Sequence, residues 1–160
     1  MAVNAYLIVD GRPGPSTSKT NAIDIMSFSW GASMAHVIGP GSSGSESRAG
    51  RANLADLNIM KVLDKTSPLL FDDCVTGNIL ATVTLFYDKP VGDQQEDYFK
   101  ITLTNALITS VQQSGSSENP VESLSFAYQQ IKVSYNPEGA DGKLQGFIDK
   151  GYNLLTCKPV

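Results

Sequence analysis

His36 is the only histidine of the chain. It stands just before Gly39-Pro40-Gly41-Ser42-Ser43-Gly44, which matches the dinucleotide-binding fingerprint letter by letter. Neither feature carries its chemistry through. Ser–His catalysis needs an acid partner and a rigidly held serine, and the nearby serines sit among glycines. The fingerprint works when its third glycine opens a helix whose N-terminus meets a pyrophosphate inside a βαβ unit. Residues 45–53 show no helical period, so the stretch reads as a loop. Cys74 and Cys157 lack metal-ligand spacing, and with one histidine a zinc site would need several chains. Asp72-Asp73 reads as a solvated helix face and Glu96-Asp97 as a turn. Neither pair has a partner spaced for glycoside hydrolysis or for a calcium loop. Trp30 could stack on a ligand, but an aromatic on the inner face of a strand is ordinarily core. The residues therefore favour a scaffold over a catalyst, with no catalytic, cofactor or metal positions expected.

The totals agree with one globular domain spanning 1–160. The 160 residues are 41% hydrophobic and 18% charged, enough for a single core. No apolar run is long enough to cross a membrane as a helix. The start, Met1-Ala2-Val3-Asn4, lacks the basic region of a cleaved signal peptide. Twelve Lys and Arg against sixteen Asp and Glu give a net charge of -4 without a basic cluster, which argues against a nucleic-acid partner. Cytosolic synthesis would keep both thiols reduced, although the sequence leaves open whether they pair.

The positioning elements are nearly all β. The exception is Lys65 to Gly77, where a helix over about residues 67–76 is expected. Ser67 offers an N-cap hydroxyl, Pro68 suits the first helical position, and Gly77 suits a left-handed stop. Leu70 with Cys74, and Phe71 with Val75, form an apolar stripe predicted to pack the helix on the sheet, with both aspartates turned away. Strands are expected over Val3–Asp10, Ile23–Met34, Leu54–Asp64, Ala81–Tyr87, Tyr98–Gln112, Pro120–Tyr135 and Leu144–Leu155. Ile23–Met34 splits by alternation into Met26, Phe28, Trp30 and Met34 on a core face, and Ser27, Ser29, Gly31 and Ser33 on a small wet face. Phe99, Ile101, Leu103, Leu107 and Val111 share one face of the longest strand. In its hairpin partner the inward parity changes between Tyr128 and Ile131, which calls for a bulge or bend near Gln129-Gln130. Residues 36–53 form a long Gly- and Ser-rich loop. Strands this long leave edges that must close or be covered, and few lysines guard them. Edges used by another copy of the chain are the expected outcome.

Several stretches in order resemble one family. Ala5-Tyr6-Leu7-Ile8-Val9-Asp10-Gly11 with Pro13-Gly14, and Phe28-Ser29-Trp30-Gly31, resemble the first two strands of the Hcp proteins, the haemolysin-coregulated tube subunits of type VI secretion systems. Asp64-Lys65-Thr66-Ser67-Pro68-Leu69-Leu70 with Cys74, Thr76 and Gly77 resembles that family's single helix. Tyr98 to Leu103 with Ser110 to Gly115 resembles its long hairpin. Tyr135, Pro137, Ala140-Asp141-Gly142 and Gly151-Tyr152 fit its chain end. The resemblance implies an antiparallel β-barrel of two packed sheets with one lateral helix, related to phage tail-tube folds. It implies six-membered rings stacked into a hollow tube that a contractile sheath drives outward, with small effectors held in the lumen. It makes Ser27, Ser29 and Gly31 lumen candidates, and the loop with His36, Arg48 and Arg51 a reach towards a neighbouring subunit. Sheath, tip and baseplate proteins are the implied partners. The implied location is the cytoplasm before firing and the outside or a target cell afterwards. The alternatives are a phage-like tail-tube subunit, or a monomeric barrel acting as ligand binder or enzyme.

Overall fold

The computed structural model describes residues 4–36 and 49–160. Within them the chain runs β1 (Asn4–Val9), β2 (Ile23–Asp24), β3 (Ser27–Ser29), β4 (Ala32–His36), β5 (Ala49–Leu54), β6 (Leu57–Val62), α1 (Ser67–Thr76), β7 (Ile79–Val91), β8 (Gln94–Ser114), β9 (Val121–Tyr135), β10 (Ile148–Asn153) and β11 (Lys158–Pro159). The fold is mainly β and antiparallel, with the one lateral helix where the sequence places it.

Nine strands form one sheet in the order β11-β10-β9-β8-β7-β1-β2, with β6 paired to β9 and β3 paired to β6. The lower half of β9 therefore holds β6 and its upper half holds β10. Residues 23–29 tie the two margins together. The Ile25 N–H donates to the Ala5 carbonyl at 3.2 Å, and the next N–H, of Met26, donates to the Met60 carbonyl at 2.7 Å. Passing from one partner strand to another divides the expected single strand Ile23–Met34 into β2, β3 and β4. It also removes Met26 and Met34 from the core, where they were expected. They are 59% and 51% exposed, while Phe28 and Trp30 pack against the core.

Leu7, Ile23, Leu57, Leu85, Ile101 and Phe126 are fully buried at the centre. Above them Phe28, Tyr87 and Phe99 cluster with ring centroids 5.4–6.3 Å apart. The buried positions change parity on three neighbouring strands together. They pass from Leu80 to Val83 on β7, from Leu103 to Ala106 on β8, and from Tyr128 to Ile131 on β9. The bend expected near Gln129-Gln130 is thus a crease across the sheet. Its centre is Asn105, in the left-handed region at φ 51°, which asparagine tolerates better than most residues. Asn105 Nδ2 donates to Gln129 Oε1 at 2.9 Å, and the pairing register is the same on both sides of the crease. The β8–β9 register shift lies lower, between Ile108 and Ser110. Leu107, expected on the Phe99 face, is displaced from it by the Asn105 kink, and Ala106 and Ile108 take the inner positions. Gly14 is a close approach: a Cβ there would lie 2.1 Å from the Ala22 carbonyl oxygen.

The predicted loop 36–53 begins and ends as strand. β4 and β5 pair antiparallel, Ala32 opposite Leu54 and Met34 opposite Ala52, as a separate two-stranded sheet. Residues 37–48, Arg48 among them, lie outside the described residues. Among the described residues β2, β3, β4, β5 and β11 each pair on one side only, and β10 meets β11 only at Tyr152 and Asn153.

Candidate functional site

The helix is held by half of its apolar stripe together with two buried carboxylates. Leu70 is fully buried and Cys74 packs on the core, but Phe71 and Val75 are 54% and 62% exposed. Their place is taken by Asp73, 1% exposed and not the solvated residue the sequence indicates. The reason is Arg12, in the turn after β1. Its Nε donates to Asp73 Oδ2 at 2.9 Å and its NH2 to Oδ1 at 2.7 Å, a two-pronged pair that neutralises the buried charge. That guanidinium holds the Asp73 carboxyl below the usual range, against the upward push of burial and with help from Asn78. Gly77 ends the helix at φ 66°, its N–H turned to the Asp73 and Cys74 carbonyls.

At the other end Thr66 takes the N-cap position without a side-chain capping bond. Ser67, the expected cap, has its hydroxyl in use elsewhere. It donates to Glu122 Oε1 at 2.7 Å and accepts from the Asp64 N–H at 3.0 Å. Lys61 Nζ lies 2.5 Å from Glu122 Oε1 and 3.1 Å from both Asp64 Oδ1 and Ser67 Oγ. Lys61 and Glu122 have no exposed side-chain surface. Burial pushes the Glu122 carboxyl up, and its bonds from Lys61, Gln113 and Ser67 outweigh this and leave it lowered. Higher on β9, the Tyr128 hydroxyl donates to the Ala55 carbonyl at 2.7 Å. Burial, aided by the Asp56 charge, pushes its pKa to about 12, so this tie to the β5–β6 corner persists at neutral pH.

A carboxyl depressed on folding contributes stability above its unfolded pKa and loses it as pH falls through the folded value. Asp73 and Glu122 both act in that sense. Asp88, 7% exposed, acts in the other: burial raises it, so its ionisation opposes folding as pH rises. The thermal midpoint is expected to fall as pH drops below about 4, with a shallower fall in Asp73→Asn. Equal slopes for parent and variant in a pH series of melting curves would contradict this.

With Lys61 and Glu122 turned inward, the opposite face of the lower sheet carries two rows without charge, bordered by Asp56, whose Oδ2 accepts the Thr109 hydroxyl at 2.9 Å. Register places Ser29, Asn58, Ser125 and Ser110 in one row across β3, β6, β9 and β8. The next row is Ser27, Met60, Ser123 and Gln112. Ser27, Ser29, Asn58 and Gln112 are exposed and the other serines are half-buried. The Ser125 hydroxyl donates to Asn58 Oδ1 at 2.5 Å. This wall can offer hydroxyls and amides, and none of its side chains is charged. Gly31, predicted with Ser27 and Ser29, falls just past β3, where its carbonyl accepts the Ala55 N–H at 2.8 Å. Sequence reasoning finds the β3 serines. It misses that β6, β8 and β9 extend the same surface, although the alternating Ser123 and Ser125 carry that signal.

The root of the β4–β5 pair borders an open apolar hollow of about 320 Å³ lined by Trp30, Ala32, Leu54, Ile131, Val133 and Tyr152. On β5 Arg51 is exposed, and its NH2 donates to Cys157 Sγ at 2.9 Å. Cys157 and Cys74 are both free. His36 is the last residue of β4. Among the described residues no group of three or more His, Cys, Asp or Glu could hold a metal ion.

Among the described residues, an antiparallel β fold with an uncharged double row of side chains and strands paired on one side only has the surfaces of an assembling protein. Comparison with known proteins gives the family. Residues 6–135 match the model described as type VI secretion system effector, Hcp. The chain is 33% identical over 157 residues to protein hcp1 of Pseudomonas aeruginosa, covering 96% of each. It superposes on a solved type six secretion system protein with a TM-score of 0.88 at 28% identity, covering 99% of this chain and 100% of that one. It superposes on Hcp1 from Salmonella typhimurium with a TM-score of 0.78 at 25% identity, over the whole of both chains. The chain belongs to the Hcp family of secreted type VI secretion proteins and is a structural tube subunit of that system.

Proposed function

We propose that the chain acts as a single barrel domain that closes into a ring of six. The β3–β6–β9–β8 face lines the lumen, and the β4–β5 arm, with His36, Arg48 and Arg51, reaches the next subunit. The observation that supports this is the uncharged, hydroxyl-rich wall, formed in register by four consecutive strands of one sheet. A channel wall of short neutral side chains lets varied polypeptide surfaces sit close without burying an unpaired charge. Strands paired on one side only supply margins for a head-to-tail cyclic interface.

In this reading the rings stack into the expelled tube, and their partners are the sheath, tip and baseplate proteins and small effectors carried inside. The chain waits in the cytoplasm until the apparatus fires and is then expelled. It inserts in no membrane, binds no nucleic acid, and has no catalytic role.

Ser29 is the position to test. Ser29→Arg places a long charge on the wall without touching the core, since Ser29 is exposed. Ring mass by native mass spectrometry is expected to be unchanged, while retention of an effector by the purified ring falls at least about tenfold. Unchanged retention in an intact ring would place Ser29 away from the lumen.

A further inference from the structure

β6 carries an ambiguous pattern. Its inward residues are Leu57, Ile59 and Lys61, and its outward residues are Asn58, Met60 and Val62. Side chains alternate with a period of two, so a slip of one residue exchanges the two faces completely. Such a slip would bury Met60 and Val62, which are both 41% exposed, and would release Lys61 to water. Counted by apolar residues the two registers are equal. For the lysine alone the slipped one is better, because an ammonium is costly to bury.

What distinguishes them is Glu122. It lies directly opposite Lys61 across the β6–β9 pair, with the two charged atoms 2.5 Å apart and both side chains fully buried. The inward face of β9 continues with Leu124 and Phe126 against outward Ser123 and Ser125, so β9 itself is unambiguous. The carboxylate is thus fixed to the core side, and only one register of β6 brings Lys61 to it. Buried ion pairs add little net stability but are well suited to selecting one arrangement among several.

We propose that the buried Lys61–Glu122 pair sets the register of β6 on β9 and so decides which face of β6 joins the serine-rich wall. Both are positioning residues: they act through the strand and touch nothing in the lumen. The register claim stands on the single chain, and only its consequence for cargo rests on the ring reading.

The experiment is amine acylation of the folded protein, read by peptide mass spectrometry, with tryptophan fluorescence reporting the fold. In the parent Lys61 is expected to be unmodified under conditions that label exposed Lys132 and Lys150. In Glu122→Gln the lysine keeps its charge and its 3.1 Å contacts to Asp64 and Ser67 but loses the cross-strand carboxylate that fixes it to β9. Lys61 is then expected to label at a rate within about tenfold of Lys132 while Trp30 stays in its folded environment. Lys61→Met with Glu122→Leu removes both the charge and the ambiguity. It is expected to fold in one register, with a single hydrogen-exchange population over residues 57–62 and a melting temperature no lower than the parent's. A folded Glu122→Gln whose Lys61 stays unreactive would overturn the proposal. So would unfolding of Glu122→Gln beside a folded double variant, because the pair would then serve stability alone. Labelling of Lys61 together with rings that still retain effector would uphold the register claim and count against the wall reading instead.

Discussion

Arg12→Ala lowers the free energy of unfolding by about 3–5 kcal/mol, read from denaturant melts of the purified chain at neutral pH. The size of the effect comes from what is left behind. Arg12 itself keeps 27% of its side chain exposed, but Asp73 keeps 1%. Removing the guanidinium strands an ionised carboxylate beside the core with only Asn78 Nδ2, at 3.1 Å, as a side-chain donor. Arg12→Lys restores the charge without the two-pronged geometry and is expected to fall between parent and alanine. The double variant Arg12→Ala with Asp73→Asn should recover much of the loss, because the buried charge has gone. A loss below about 1 kcal/mol in Arg12→Ala, the range of an exposed pair, would show that the helix does not depend on this contact.

Leu70→Ala costs about 2–5 kcal/mol, because Leu70 is the one helix side chain wholly inside the core. Its contrast is Phe71→Ala. The phenyl ring is the larger group, yet it is 54% exposed, and in the dissociated chain its truncation is expected to cost well under Leu70→Ala. If Phe71→Ala proved the more damaging in the monomer, the helix would be docked by the face assigned to solvent. Both variants fit the same denaturant series, and an unchanged m-value would show that the unfolded reference is the same.

Much of this architecture is legible in the chain because a period-two pattern is a direct imprint of a half-buried strand. Phe28 between Ser27 and Ser29, and Leu124, Phe126 and Tyr128 between serines and an alanine, could be read without a structure. Pro68 and Gly77 bracket the helix for local steric reasons, and Ser67–Thr76 followed. The misreadings share a cause: they depend on partners distant in sequence. Asp73 reads as solvated because nothing near it announces Arg12, 61 residues earlier. Lys61 falls in phase with Leu57, Ile59 and Leu63, and could have been taken as inward. Seeing why requires Glu122 on another strand, itself in phase with Leu124 and Phe126.

Ile23–Met34 was divided because hydrogen-bond partners change at Met26, which alternation does not record. The Asn105 crease belongs to the same class, since a left-handed asparagine is invisible to pattern but moves the next inward residues to Ala106 and Ile108, until the register shift before Ser110 returns Val111 to the core side. The wall was half legible for a simpler reason. The β3 serines are local, but their continuation through Asn58, Ser125 and Ser110 exists only once the strands are in register.

Native mass spectrometry of the purified chain tests the central claim most directly. The account predicts a dominant assembly at six times the 17.1 kDa chain mass, dissociating through single-subunit loss. A species that stays at one chain mass across the micromolar range would contradict it, and would leave the hydroxyl-rich wall as an outer surface of a solitary barrel.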